Sequence, residues 1–397
     1  MANHLTRAAA RTDPGLRCSV GPAELPAWLR LAHEPGIGPA GALALVAAAG
    51  PPDVLYQMPP AQLRRYVPAD LARRMAGPAP AWLAAETERV LHWLDGHAQR
   101  YLLTVRDPRY PAALLPLPDP PLLLYVQGRI DWLQRPALAI VGARNASAAG
   151  LENARAFAAH LARQGWCVVS GLARGIDAAA HAGALDAGPD CGTVAVLGTG
   201  MDRVYPAAHA PLAARIAGQG ALVSELPLGT LPLKHHFPRR NRVVAGLARG
   251  VLVVEAARQS GSLGTARLAA DFGREVFALP GSIHSPLTRG CHALIREGAK
   301  LVETAADIAE ELGVPDAPRG FMRQAGSGVP AAPRPAPPAP ADAPLLRALG
   351  HDPAPLDALV ARTGLEAGAV QAGLLELELA GRIERLADGR FQRVAAD

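Results

Sequence analysis

Lysine is almost missing from this chain. Of its 40 basic residues only Lys234 and Lys300 are lysines. Arginine supplies positive charge everywhere else, so a lysine at 234 is not explained by charge alone. Cysteine is nearly as scarce. Cys18, Cys167, Cys191 and Cys291 stand far apart, fit no zinc spacing and point to a reducing compartment. No apolar run reaches the roughly 18 residues of a membrane span. His4, Arg7 and Arg11 are followed by no apolar h-region, so no secretory signal is read. A membrane-spanning protein and a secreted disulfide scaffold are excluded, and the expected compartment is the cytoplasm.

Catalytic signatures are missing too. There is no Gly-x-Ser-x-Gly elbow, no Walker A lysine and no His-Glu-x-x-His. The dinucleotide fingerprint is also absent, because Gly142-Ala143-Arg144 stands where its glycines belong. A side chain at 144 would take the pyrophosphate's place, which favours an extended phosphate chain over NAD. Asp177 and His181 sit at i and i+4, as a His-orienting pair would, but read better as a local hydrogen bond at a helix start. No cofactor and no metal site are expected, and the chain reads as a non-enzyme.

A last absence is acidic. Between Glu225 and Glu255 there is not one Asp or Glu, while Lys234, Arg239, Arg240, Arg242, Arg249 and the ring of Phe237 fall inside the gap. Arginine forks grip phosphate oxygens in pairs, and a flat ring gives any base a stacking surface. The whole chain carries only +5 from 40 basic and 35 acidic residues, so an anion site must be local.

With 397 residues the chain is long enough for two or three domains. Residues 1–22 read as a disordered tail. Residues 23–95 have a helical pattern, with a Gly36-Ile37-Gly38 turn like that of a helix-hairpin-helix or SAM-like domain. No cation follows that turn, so a packing corner is expected rather than a phosphate site. A connector at 96–130 holds the first of several short unbroken apolar runs, most of which end in small residues. They lie at 122–126, 137–141, 167–169, 193–197, 221–223, 251–254 and 276–279, and amphipathic helical stretches separate most of them. Strands buried on both faces read this way, and strand–helix alternation means a mostly parallel sheet. Residues 96–313 are therefore an α/β, Rossmann-like doubly wound core. A Pro/Ala-rich linker follows at 314–343. Residues 344–397 give three helices and a hairpin, the pattern of a winged helix. Its third helix carries Glu366, Glu376 and Glu378 where a base reader carries cations or amides. A protein-contact or structural role is expected of it.

In an open parallel sheet, ligands bind at the carboxyl ends of the strands. Arg144 stands in the first such turn, and Ser170, Gly171 and Arg174 in the second. Ser260, Gly261 and Ser262 open a helix in a third, and the basic stretch from Lys234 joins the same edge. A rival from another class is a nucleotide-processing enzyme of the phosphoribohydrolase type. It needs a Pro-Gly-Gly-x-Gly-Thr loop, of which Ser260 to Thr265 match only the end.

Several motifs occur in order: Val141-Gly142-Ala143-Arg144, Ser170-Gly171-Leu172-Ala173-Arg174-Gly175-Ile176-Asp177, Gly198-Thr199-Gly200-Met201-Asp202-Arg203-Val204-Tyr205-Pro206, Phe237-Pro238-Arg239-Arg240-Asn241-Arg242, Ser260-Gly261-Ser262 and Leu279-Pro280-Gly281. The set resembles the DNA-processing protein A (DprA/Smf) family, and Gly264 and His292 depart from its usual pattern. The resemblance implies a bacterial protein that binds single-stranded DNA, protects incoming transforming DNA and helps load RecA, usually as a homodimer. By motif match it implies Arg144, Lys234, Phe237, Arg240 and Asn241 as strand-binding residues. Arg174, Arg242 and the Ser170-Gly171 and Ser260-Gly261-Ser262 turns complete the expected site.

Overall fold

The structure is a computed structural model that describes residues 17–313, 315, 343–349 and 353–394. The first 16 residues of the expected tail and nearly all of the expected linker lie outside the described residues. The chain divides into two compact units, one built on a large sheet and one on the C-terminal helices.

Nine strands form the sheet: β1 (Arg100–Thr104), β2 (Leu123–Gly128), β3 (Ala137–Val141), β4 (Cys167–Ser170), β5 (Thr193–Val196), β6 (Ala221–Ser224), β7 (Gly250–Val253), β8 (Glu275–Ala278) and β9 (Lys300–Leu301). Their spatial order is β1-β2-β6-β5-β4-β3-β7-β8-β9. From β6 across to β9 every pair is parallel. The order reverses at β3, which places the switch point between β3 and β7. Every residue of β3 to β7 is buried, because helices cover both faces of the sheet and each side chain must be apolar or internally bonded. Burying one such Leu, Ile or Val contributes about 1.5–3 kcal/mol.

At its far edge the mostly parallel sheet turns antiparallel. β2 runs antiparallel to β6, with Tyr125 opposite Ser224, and β1 runs antiparallel to β2. The chain at 17–19 then closes the edge. Leu102 N donates to Arg17 O at 2.9 Å and Ser19 N donates to Leu102 O at 3.1 Å. Residues 17–19 are thus ordered against the sheet rather than part of a free tail, since an edge strand's free N–H and C=O groups recruit whatever backbone lies alongside.

Six helices between Leu25 and Asp95 pack on this edge, and three of them start with Pro39, Pro52 or Pro60, where a missing N–H costs nothing. They share one continuous apolar core with the sheet, and the Trp93 ring meets Tyr125 edge-on at 5.7 Å. The Gly36-Ile37-Gly38 corner is braced from within. Arg74 Nε lies 3.1 Å from Glu34 Oε1 and Tyr56 OH donates to Glu34 Oε2 at 3.1 Å. Among the described residues no helix is long and apolar enough to cross a membrane.

The second unit holds helices Ala343–Leu349, Leu356–Thr363 and Ala367–Leu379 and a hairpin of β10 (Ile383–Arg385) with β11 (Phe391–Arg393). Leu349, Leu359, Val370, Leu374, Leu377, Ile383 and Phe391 make its core. Leu375 and Leu379 stay exposed on the third helix.

Asp177 and His181 share the helix Ile176–Asp186 but turn to different partners. Asp177 accepts backbone N–H groups, described below. His181 is fully buried with Nδ1 2.8 Å from Thr193 Oγ1. That hydroxyl donates to Val168 O at 2.5 Å, so His181 must donate and carries its proton on Nδ1. Burial, aided by the charges of Arg240 and His209, pulls its pKa from 6.5 to about 3. The unfolded chain takes up this proton near 6.5 and the folded chain only near 3. The contribution of the neutral imidazole is thus fully present above 6.5 and is lost as pH falls towards 3, by up to about 1.4 kcal/mol per pH unit. Urea midpoints measured from about pH 7 to about pH 4.5 should fall more steeply in the wild type than in His181→Asn. Parallel pH profiles would show that His181 is not held neutral.

Candidate nucleic-acid interface

All the parallel strands deliver their following loops to one edge. The loop after β3 carries Arg144, and the loop after β4 carries Arg174. The loop after β6 carries Lys234 into the helix His236–Leu247, which returns the chain to β7. That helix buries Val243, Val244, Ala245 and Leu247 against the sheet, which fixes its inner face and leaves its first turn at the rim.

Arg144, Arg174 and Lys234 are exposed and form no hydrogen bond or ion pair among the described residues. Phe237 is half-buried at the start of the helix. Its ring sits against Gly198 so closely that a Cβ there would come 2.8 Å from Phe237 Cδ1. Arg144 Cζ lies 5.8 Å from the same ring's centroid, and the ring of Tyr205 lies 5.5 Å away at a tilt of 44°. Cation and ring from separate loops thus meet at one place. Ser260 caps the helix Gly261–Asp271, accepting from Ser262 N at 3.4 Å, and its hydroxyl lies 2.7 Å from that of Ser262. Asn241 joins this turn to the basic helix by donating from Nδ2 to Gly261 O at 3.4 Å. Gly264 faces open space, and His292 Nε2 lies 3.1 Å from Gly281 O.

Four more of the expected contact residues have internal partners. Ser170 is fully buried and its hydroxyl donates to Ile140 O at 2.6 Å. The N–H groups of Gly171 and Ala173 donate to Asp177 Oδ2 at 3.1 and 3.3 Å, so the turn's amides face a carboxylate of the chain itself. Burial raises the Asp177 carboxyl, while the nearby Arg240 charge and those amides oppose the rise. Arg240 is 6% exposed and donates to Val196 O at 2.5 Å and to Gly171 O. Its guanidinium leaves no room for a Cβ at Gly171, which would lie 2.2 Å from Nη1. Arg242 pairs with Glu225, its Nε lies 3.2 Å from Asp119 Oδ2, and it donates to Asp119 O. The acid-free stretch is therefore less positive than it reads, because Glu225 and Asp119 reach it from outside. Tyr205, exposed beside Phe237, is the residue that motif reading left out.

A doubly wound sheet bearing exposed cations, small-residue turns and aromatic rings at its carboxyl edge suits phosphate-bearing chains as ligands. The family model for DNA recombination-mediator protein A matches residues 101–313, and a DprA winged helix domain model matches residues 329–389. The chain belongs to the DNA recombination-mediator protein A family, as its motifs implied. It is 43% identical over 308 residues to Protein Smf of Escherichia coli (strain K12), covering 76% of this chain and 79% of that protein. It is 46% identical over 208 residues to the DNA processing protein DprA of Streptococcus pneumoniae, covering 52% and 73%. The X-ray structure of DprA from Streptococcus pneumoniae matches with a TM-score of 0.59 at 35% identity, over 74% of this chain and 98% of that one.

The two arginines around Glu225 should differ sharply on truncation. Arg242 and Glu225 have side chains only 6% and 5% exposed, so Arg242→Ala strands a buried carboxylate and should cost about 3–5 kcal/mol. Arg239, 3.3 Å from Glu225 but 48% exposed, should cost under about 1 kcal/mol. Chemical denaturation of both variants checks this, and equal losses would refute the buried-pair assignment.

Proposed function

We propose that this protein binds single-stranded DNA along the carboxyl edge of its sheet, without cleaving or modifying it. In this reading it protects DNA entering during natural transformation and passes it to RecA, acting as a homodimer. The DNA role is supported by its family and by one observation above the rest. Arg144, Arg174 and Lys234, which form no hydrogen bond or ion pair among the described residues, lie on the same edge as the partly exposed Phe237 ring. The RecA, transformation and dimer parts rest on the family resemblance alone.

Side-chain cations and rings carry no base code, so affinity should be nearly indifferent to sequence. Duplex DNA hides its base faces and should bind more weakly than a single strand of the same length. Lys234→Ala and Arg144→Ala should each flatten the slope of log Kd against log salt by about 0.7. Phe237→Ala should cost about 1–3 kcal/mol with the slope nearly unchanged. Anisotropy titrations at several salt concentrations test all of this. Equal affinity for single and double strands, or full affinity in Lys234→Ala, would contradict the reading. Release of free base from nucleoside monophosphates would replace it with a nucleotide-processing enzyme.

A further inference from the structure

Tyr205 is a large ring that the fold leaves 48% exposed, on a loop that is not loose. Thr199 Oγ1 donates to Arg203 O at 2.6 Å, closing the loop on itself. Gly200 N donates to Thr230 O at 3.1 Å and Gly229 N to Asp202 Oδ1 at 2.7 Å, locking it to the segment that leads to Lys234. Leu231 and Leu233 on that segment are exposed as well. A ring held this firmly and still open to solvent gains nothing from water on its face.

Its neighbour explains the placement. Phe237 has Gly198 against one side and the Arg144 guanidinium 5.8 Å from its centroid, so only part of its surface is open. Tyr205 extends that surface, 5.5 Å away and tilted by 44°. The separation falls within the range of about 4.5–7 Å at which flat rings interact. We propose that Tyr205 is a second stacking platform, so that Tyr205 and Phe237 together receive neighbouring bases of a single strand whose phosphates are held by Arg144 and Lys234. The inference rests on the single-strand reading above and adds to it a residue and a division of labour: rings for bases, cations for phosphates.

The test titrates the full-length chain with oligo(dT) and with an oligonucleotide of equal length made of abasic residues. Tyr205→Ala and Tyr205→Leu should weaken oligo(dT) binding about 5- to 150-fold, the equivalent of one lost base–ring stack. Tyr205→Phe should bind like wild type, because the ring and not the hydroxyl makes the contact. All three variants should bind the abasic strand as wild type does, whereas Lys234→Ala should weaken both strands. Unchanged oligo(dT) affinity in the Ala and Leu variants overturns the proposal, as does an equal loss on the abasic strand. A Tyr205→Phe variant as weak as Tyr205→Ala also overturns it. If wild type binds no oligo(dT), or Lys234→Ala has no effect on either strand, the single-strand reading itself fails.

Discussion

The buried guanidinium of Arg240 joins three pieces of backbone that lie far apart in the chain. It belongs to the helix His236–Leu247, and it donates to the carbonyls of Gly171 after β4 and Val196 at the end of β5. Hydrogen bonds from a charged group contribute about 1.5–3 kcal/mol each, and a charge buried without them is far costlier. The helix start is therefore held against the ends of these strands, with Asp177 nearby to balance the charge. Phe237 meets Arg144 at the rim because this anchor sets where the helix begins. Gly171 and Gly198 follow from the same constraint, since the first admits the guanidinium and the second admits the ring.

The backbone amides beside the anchor have partners within the chain as well. In a dinucleotide-binding sheet the backbone amides of a glycine turn cradle one diphosphate. Here the amides after β4 are turned to Asp177, and the hydroxyl of Ser170 is bonded inward. What remains outward is a set of side chains on separate loops, Arg144, Arg174 and Lys234, with the Phe237 ring beside Arg144. Spread cations and open rings suit a strand that runs past the edge, whose charges and bases recur along its length.

Much of this was legible in the sequence. Strands β3 to β8 announce themselves as short apolar runs ending in small residues, because helices on both faces bury all of β3 to β7 and the end of β8. The winged helix is legible from its three helical segments and the Ala387-Asp388-Gly389 turn. The roles of single arginines were not. Arg242 reads as a free cation although Glu225 and Asp119 pair with it from 17 and 123 residues away. Arg240 and Ser170 look like ligands of phosphate until the packing shows carbonyls beside them. Burial is a property of the assembled fold, and local residue type does not encode it. The edge formed by β1 and residues 17–19 was illegible for a similar reason: a backbone edge, not a side-chain pattern, recruits it.

Binding of a single strand along the carboxyl edge can be mapped directly on the protein. Irradiating the full-length chain bound to an oligonucleotide of 4-thiothymidine, then sequencing the crosslinked peptides by mass spectrometry, addresses it directly. The account predicts crosslinks on the peptides that contain Arg144, Tyr205 and Lys234 to Phe237. Crosslinks confined to residues 344–397, or to the helices between Leu25 and Asp95, would contradict it.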